Sequence, residues 1–192
     1  MPAKKQITRE KILETAMQLL LEGGMEAVNI KALAKALHCS TQPIYLSFEN
    51  MEDLRRALIP LAVQRFAELL RTGTADNEVP CLYDMNYIRL AQKEPQLFRF
   101  LFMRRNAFAE AREALRGLTE YAIERFMQDY ELDYDEAHFL HDQLWMQAHG
   151  IASMLATGFC DWDMEKAERM LRETRGLLLD RYKQTGGKPH AL

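Results

Sequence analysis

Cysteine and long apolar runs are scarce in this chain of 192 residues, and each scarcity excludes a class of protein. Cys39, Cys81 and Cys160 have no zinc-ligand spacing and cannot all pair with one another, which predicts a reduced cytoplasmic protein. No run of about 18 apolar residues occurs, which excludes a membrane-spanning helix. The first residues also contain no apolar stretch of the signal-peptide kind.

The chain also has no large excess of positive or of negative charge. Lys and Arg number 25 against 28 Asp and Glu, and the formal net charge is −3. This balance excludes a uniformly basic nucleic-acid protein but leaves room for a local basic patch. Such a patch is present near the start, where Lys4, Lys5, Arg9 and Lys11 fall within eight residues.

Strand signals are almost absent, because valine occurs only three times and no segment alternates apolar and polar residues. Apolar residues instead recur at three-to-four spacing, which predicts an all-α fold of about nine helices. We expect Gly23-Gly24 to end the first helix, Asn29 and Ser40 to cap the next two, and Pro60 to kink or divide the fourth. On that fourth helix the predicted apolar face is Leu54, Leu58, Leu61, Ala62 and Leu69.

Beyond the polar stretch 72–78, five further helices are expected. Two begin with a proline, at 80–93 and 95–103. One of about twenty residues follows with Leu115, Ala122 and Phe126 in register. The last two are placed at about 136–156 and 164–183, the second capped by Asp163.

The strongest functional signal is a pair of short helices, 30–37 and 41–47, joined by His38-Cys39-Ser40. A connection of that length is typical of a helix-turn-helix, whose second helix enters the major groove of DNA. Thr41, Gln42, Tyr45 and Ser47 carry uncharged hydrogen-bonding groups suited to base edges and phosphates. Ile44 and Phe48 are apolar and are expected to face inward. The alternative is an ordinary helical hairpin within an all-α core.

These segments resemble the TetR family of bacterial transcription regulators. The resemblance covers roughly residues 7–59 and lies in Thr8-Arg9-Glu10-Lys11-Ile12-Leu13, in Gly24, in the helix 30–37, and in the string from Ser40 to Phe48 followed by Leu54. Trp145 followed by His149-Gly150 resembles one type of regulatory domain in that family. The resemblance implies a homodimer that binds a palindromic operator and responds to a small molecule. We expect the last two helices to pair with their symmetry mates, because the apolar stripe of the helix 164–183 is wide enough to face its own body and a partner.

The same resemblance implies a division of the chain and a set of DNA contacts. We call residues 1–56 the head, expected to bind DNA, and residues 57–184 the body, expected to bind a ligand and dimerise. Residues 185–192 are expected to be a flexible tail. The implied DNA-facing residues are Lys31, Ser40, Thr41, Gln42, Pro43, Tyr45 and Ser47, with Lys4 and Lys5 as further phosphate contacts.

Two positions depart from the family pattern. His38 stands where the family usually has glycine in the turn, which predicts a positive φ at this residue. Met51 stands where the family often has a phosphate-binding lysine. The loss of that lysine makes the basic residues 4–11 more important candidates for backbone contacts.

The body is rich in aromatic residues and methionine, and most of them are expected to pack the core. Some of this set are predicted to border an effector site between helices: Tyr87, Phe98, Phe102, Tyr121, Trp145 and His149. His138, His141 and Asp142 are close in sequence, yet no HExxH arrangement or cysteine cluster accompanies them. We therefore expect neither a metal nor another cofactor.

Three functional hypotheses follow. The first is a ligand-responsive transcription regulator, most often a repressor in the resembled family. The second is an all-α enzyme or small-molecule carrier in which the head is scaffold, although no GxSxG motif, phosphate-cradling glycine loop or metal-hydrolase signature is present. The third is a DNA-binding dimer that responds to no effector.

Overall fold

The computed structural model describes residues 7–72, 81–105 and 107–185, and all regular structure within these residues is helical. Nine helices lie in the described ranges, which confirms the all-α prediction. They are α1 Arg9–Ala27, α2 Ile30–Ala36, α3 Gln42–Ser47, α4 Met51–Thr72, α5 Cys81–Lys93, α6 Pro95–Phe102, α7 Ala107–Tyr130, α8 Tyr134–Ala156 and α9 Met164–Thr185.

Side-chain caps set the starts of several helices, since the first backbone N–H groups of a helix have no partner within it. Asn29 Oδ1 accepts from the Ala32 N–H at 3.0 Å, and Asp163 Oδ1 accepts from the Lys166 N–H at 2.7 Å. Both predicted caps are confirmed. The predicted cap at Ser40 is wrong, because Thr41 occupies the N-cap position of α3 and makes no side-chain cap bond.

The two helix breaks predicted at Gly23-Gly24 and at Pro60 have different outcomes. Gly24 does interrupt the regular course of α1, with φ of 73° and ψ of −176°, but one further helical turn continues to Ala27. Pro60 does not divide α4, which runs from Met51 to Thr72. The helix α9 extends to Thr185, the first residue of the predicted tail. Residues 186–192 and residues 73–80, which include all but the first residue of the polar stretch 72–78, lie outside the described residues.

The buried face of α4 follows a strict four-residue spacing: Leu54, Leu58, Ala62, Phe66 and Leu70. The predicted face was partly wrong, because Leu61 is exposed and Leu69 is only half-buried. Residues four apart lie nearly one above the other on a helix, so this row turns a single edge of α4 toward the core. Phe66 thereby enters the body core, a position that the sequence analysis had not given it.

Buried side chains form one apolar cluster that extends through head and body, from Ile12 and Leu33 to Ala148 and Leu171. Within it α1 packs along α6, and α5 packs along α8. A second cluster joins α7, α8 and α9 around Ile123, Phe126 and Leu140. Head and body therefore share a continuous core.

Polar contacts fasten the helices that connect the head to the body. The Arg65 guanidinium of α4 binds the Glu94 carboxylate just before α6 through two bonds, one of them 2.8 Å from Nε to Oε2. The buried Asn86 amide of α5 donates to the Leu70 carbonyl at 3.0 Å. At the break in α1, a Cβ on Gly24 would lie 2.8 Å from Gln96 Oε1 of α6.

Among the described residues, no helix is long and apolar enough to cross a membrane.

Candidate nucleic-acid interface and aromatic cluster

The turn between α2 and α3 is closed by backbone geometry. His38 has φ of 52°, which confirms the positive φ predicted for this residue. The conformation is uncommon for a residue other than glycine. It reverses the chain so that the Cys39 N–H donates to the Ala34 carbonyl at 3.0 Å and the His38 N–H to the Lys35 carbonyl at 3.2 Å. The turn thus fixes α3 across α2.

The two faces of α3 differ sharply in burial. Ile44 is fully buried and Phe48 nearly so, as predicted. Thr41 and Gln42 are exposed, and Tyr45 is 61% exposed. The outer face therefore offers hydroxyl and amide groups to an external partner.

Three of the predicted contact residues, Ser40, Pro43 and Ser47, differ in how far they are available to an outside partner. Ser40 is exposed in the turn, whereas Pro43 is half-buried. The Ser47 hydroxyl donates to the Pro43 carbonyl at 2.9 Å, so its proton is used within α3 and only its oxygen lone pairs remain for an outside donor. Leu46, which was not among the predicted contact residues, is 80% exposed on the outer face of α3.

The basic side chains near α3 are partly engaged within the head. The Arg9 guanidinium lies over the Phe48 ring, 4.6 Å from its centroid, and so packs the start of α1 against the end of α3. The Lys11 ammonium pairs with Glu14 at 3.0 Å. Lys31 is exposed near the start of α2. Lys4 and Lys5 lie outside the described residues.

The start of α4 has a different character from the family pattern. Met51 is half-buried and packs against the main core cluster, so an apolar contact replaces the usual lysine. One turn on, Arg55 Nε donates to Glu52 Oε2 at 2.8 Å. This hydrogen bond is the main cause that lowers the pKa of the exposed Glu52.

In the body, five aromatic rings and one imidazole pack together across α4, α5, α6 and α8. Ring centroids are 5.3 Å apart for Tyr87 and Phe98, 5.0 Å for Phe98 and Phe102, and 5.3 Å for Phe66 and Phe102. Separations of this size are favourable for tilted and edge-to-face pairs. We call the following group the aromatic cluster: Phe66, Tyr87, Phe98, Phe102, Trp145 and His149.

One polar pair lies inside these rings. The Tyr87 hydroxyl and His149 Nδ1 are 2.7 Å apart, a short hydrogen bond between residues on α5 and α8. Burial lowers the pKa of His149, so the imidazole is neutral at neutral pH and has one donor and one acceptor. The pair is thus a hydrogen-bonding point within an otherwise apolar environment.

The structure brings together five of the six residues predicted for the effector site. Trp145 stacks on His149 with ring centroids 5.2 Å apart and an interplanar angle of 27°, and both side chains are half-buried at the margin of the cluster. Tyr121 is not brought to the cluster. It is 60% exposed because α7 turns its neighbours Ala122 and Ile123 toward the core.

Phe66 completes the cluster, although the sequence analysis did not select it. The row Leu58, Ala62, Phe66 and Leu70 at four-residue spacing was the signal that could have located it.

His138 and His141 lie apart from this cluster. Their Nδ1 atoms are each 3.4 Å from a carboxylate oxygen of Asp142. His141 is buried, and burial is the main cause that lowers its pKa. Within the described residues, no group of three or more His, Cys, Asp or Glu side chains is arranged so that it could hold a metal ion.

Comparisons with known proteins agree with this geometry. Residues 12–58 match the family model described as bacterial regulatory proteins, tetR family. Over 166 residues the chain is 27% identical to an uncharacterized HTH-type transcriptional regulator of Mycobacterium tuberculosis, covering 83% of this chain and 74% of that protein. The matched family and this relative are transcription regulators, which sets aside the enzyme hypothesis.

Solved structures share the fold over most of the chain. The fatty acid degradation regulator FadR from Bacillus halodurans has a TM-score of 0.63 and 19% identity, with 92% of this chain and 96% of that chain covered. A TetR variant from Acinetobacter baumannii in complex with minocycline has a TM-score of 0.53 and 18% identity, with 93% and 97% covered. At these identities the likeness concerns the fold.

Proposed function

Because the chain is a TetR-family transcription regulator, we propose that it binds a palindromic DNA operator as a homodimer and leaves it when a small molecule binds the body. In this proposal it represses the gene that the operator controls. The division into a DNA-binding head, residues 1–56, and a ligand-binding body, residues 57–184, belongs to the same proposal.

The outer face of α3 is the observation that carries the DNA-binding part. The left-handed His38 and the buried Ile44 and Phe48 hold this short helix in one orientation, so its exposed side chains are positioned before DNA arrives. The Gln42 amide can form two hydrogen bonds with an adenine edge, and the Tyr45 hydroxyl can bond a phosphate. Lys31, together with Lys4 and Lys5, would neutralise phosphates on either side.

Exposed apolar residues on α8 and α9 support the homodimer. Phe139 and Met146 lie two turns apart on α8 and are 42% and 52% exposed, and Leu177 on α9 is 73% exposed. Gln147 donates to the Thr174 hydroxyl at 2.8 Å and so ties α8 to α9 beside these residues. An apolar face of this kind is suited to an isologous contact in which α8 and α9 meet their symmetry mates in a four-helix bundle.

The aromatic cluster supports an effector that is largely apolar and carries one hydrogen-bonding group. Phe66, Phe98 and Phe102 present only hydrocarbon, whereas the Tyr87–His149 pair offers a directed polar contact. The half-buried Trp145 and His149 form the margin through which such a molecule would reach the rings. The fold neighbours named above, a fatty acid degradation regulator and a minocycline complex, are compatible with an apolar or ring-bearing effector.

A path from the effector to the DNA follows from α4. Phe66 belongs to the aromatic cluster, and Arg65 beside it is bound to Glu94. The first turn of the same helix lies in the head. A molecule that displaces the rings would therefore move α4 and alter the spacing of the two α3 helices, which must be about 34–36 Å, or a multiple of it, to engage successive turns of DNA.

The test is a binding measurement by fluorescence anisotropy on a labelled duplex taken from the DNA upstream of the protein's own gene. We expect affinity at least tenfold higher for this duplex than for a shuffled duplex of equal composition, and release when apolar acids or ring-bearing compounds are added. Equal affinity for both duplexes would favour the carrier hypothesis. Specific binding that no compound reverses would favour a dimer without an effector.

A further inference from the structure

Leu46 occupies an unusual place for a leucine. It lies in α3 and is 80% exposed, the largest exposure among the large hydrophobic side chains of the described part of the head. Its neighbour Ile44 is fully buried, so the core of the head is complete without Leu46. An exposed leucine at this position contributes little to packing within the described head.

The spacing of α3 places Leu46 beside the DNA-facing groups. Gln42 and Leu46 are four residues apart, so they lie one turn apart on the same face, about 6 Å along the helix axis. Tyr45, also exposed, precedes Leu46 directly. If Gln42 contacts a base edge as proposed above, Leu46 reaches a base within about two steps of it, because successive bases are about 3.4 Å apart.

The chemistry of the side chain limits what it can recognise there. Leucine has no donor or acceptor, so it cannot bond the polar edge of a base or a phosphate. The apolar group that the major groove exposes is the C5-methyl of thymine, and apolar side chains discriminate thymine by contact with it.

We propose that Leu46 is a specificity residue that buries against a thymine methyl in each half of the operator. This inference rests on the proposed DNA-binding function and adds one determinant to it. Gln42 and Leu46 together then read neighbouring base pairs, one by hydrogen bonds and the other by apolar contact.

The experiment begins with operator selection. The full chain is used to enrich its preferred sites from a library of random duplex DNA, and each thymine of the enriched site is replaced in turn by deoxyuridine, which removes only the methyl group. At one symmetric pair of thymines we expect affinity to fall about fourfold per half-site, the value for burying one methyl group. Replacement in both half-sites should lower it about fifteenfold.

Variants assign that loss to the side chain. Leu46→Ala should bind the thymine and deoxyuridine operators with equal affinity, because the partner of the methyl group is gone. Leu61→Ala, which shortens an exposed leucine of α4, should keep the full sensitivity. Gln42→Ala should lower the affinity for the thymine and deoxyuridine operators by the same factor, so it should also keep the full sensitivity to the methyl group.

The outcomes are distinguishable. If no sequence is enriched, the proposed DNA-binding function fails, and the role of Leu46 fails with it. If a sequence is enriched but no thymine is sensitive to deoxyuridine, or Leu46→Ala keeps the wild-type sensitivity, the role of Leu46 is overturned while the proposed function stands.

Discussion

Single residues in the head divide into those that fix the backbone and those that face outward. His38 sets the turn through a positive φ, and Phe48 anchors the end of α3 beneath the Arg9 guanidinium. Gln42 and Lys31 are exposed and are not needed for the core. Substitutions at the outward residues should therefore change DNA binding without unfolding the protein.

Gln42→Ala and Lys31→Ala should differ in what they lose. Loss of the Gln42 amide should cost about 1–3 kcal/mol on the operator and little on random DNA, because a base contact discriminates among sequences. Loss of the Lys31 charge should weaken both DNAs alike and reduce the salt dependence of binding. Titrations on both duplexes at several salt concentrations measure this, and equal losses for Gln42→Ala on both DNAs would contradict a base contact.

His141 should make stability depend on pH. Burial lowers its pKa in the folded state, and its Nε2 is buried without a hydrogen-bond partner. In the unfolded chain His141 therefore binds a proton at a higher pH than in the folded protein. The free energy of unfolding should decrease as pH falls below about 6.5. Asp142 opposes this shift, while His138 reinforces it. His149 should contribute in the same direction.

Urea unfolding between pH 5 and 8 measures that slope. His141→Met should reduce it and stabilise the protein at the acid end, since an unpartnered buried nitrogen is replaced by an apolar side chain of similar size. His138→Met serves as the control, because its side chain is 38% exposed on the same helix. Identical slopes for the wild type and His141→Met would rule out this role.

Among the helices, the contact of α1 with α6 joins the head to the body at a point where only glycine fits. Gly24→Ala should lower the free energy of unfolding by about 1–3 kcal/mol, because the φ of 73° and ψ of −176° belong to a region that other residues rarely adopt. The added Cβ would also press on Gln96. Adding Gln96→Ala to the Gly24→Ala variant should remove only the destabilisation that comes from the contact with Gln96, and should leave the backbone strain.

Gly117→Ala on α7 is the matched control. A Cβ at Gly117 would meet nothing within 4 Å, so alanine there should stabilise the helix by about 0.5–1 kcal/mol. Thermal or urea unfolding of the wild type and these three variants gives the comparison. A Gly24→Ala protein as stable as the wild type would mean that the break in α1 imposes no backbone requirement.

Helices were the part of the fold that the sequence predicted best. Apolar spacing located α8 and α9 within about two residues of their observed ends, because a buried face repeats every three to four residues. Asn29 and Asp163 were recognised as caps since their side chains bond the backbone locally. Such features depend on neighbours in sequence, which a single chain displays.

Features that depend on distant parts of the chain were not predictable in the same way. Tyr87 and His149 are 62 positions apart, so nothing local indicates that they form a hydrogen bond. Tyr121 has the same residue type as Tyr87, yet its place on α7 leaves it exposed. Phe66 was missed because two apolar rows compete on α4, and only packing decides which one is buried.

For the whole molecule, the exposed apolar residues of α8 and α9 predict the state of assembly. Leu177→Glu should convert a dimer into a monomer at micromolar concentration and lower operator affinity strongly, because two linked heads bind a palindrome far better than one. Analytical ultracentrifugation measures the change, and circular dichroism checks that the helices remain. Tyr121→Glu, at an exposed residue of α7 outside the proposed interface, should stay dimeric. A wild-type protein that sediments as a monomer would contradict the proposal.

The continuity of α4 has a mechanical consequence. In the proposed mechanism α4 would tilt about Arg65, which is held by Glu94, as its fulcrum, and Met51 lies 14 residues away, about 21 Å at 1.5 Å per residue. A tilt of about 5° at the fulcrum would carry the first turn of α4 through about 2 Å, and the opposite motion in the partner would double the change between the two heads. In the proposed mechanism, the distance between Arg65 and Met51 would determine how far a displacement of the aromatic rings shifts the two heads relative to successive turns of DNA.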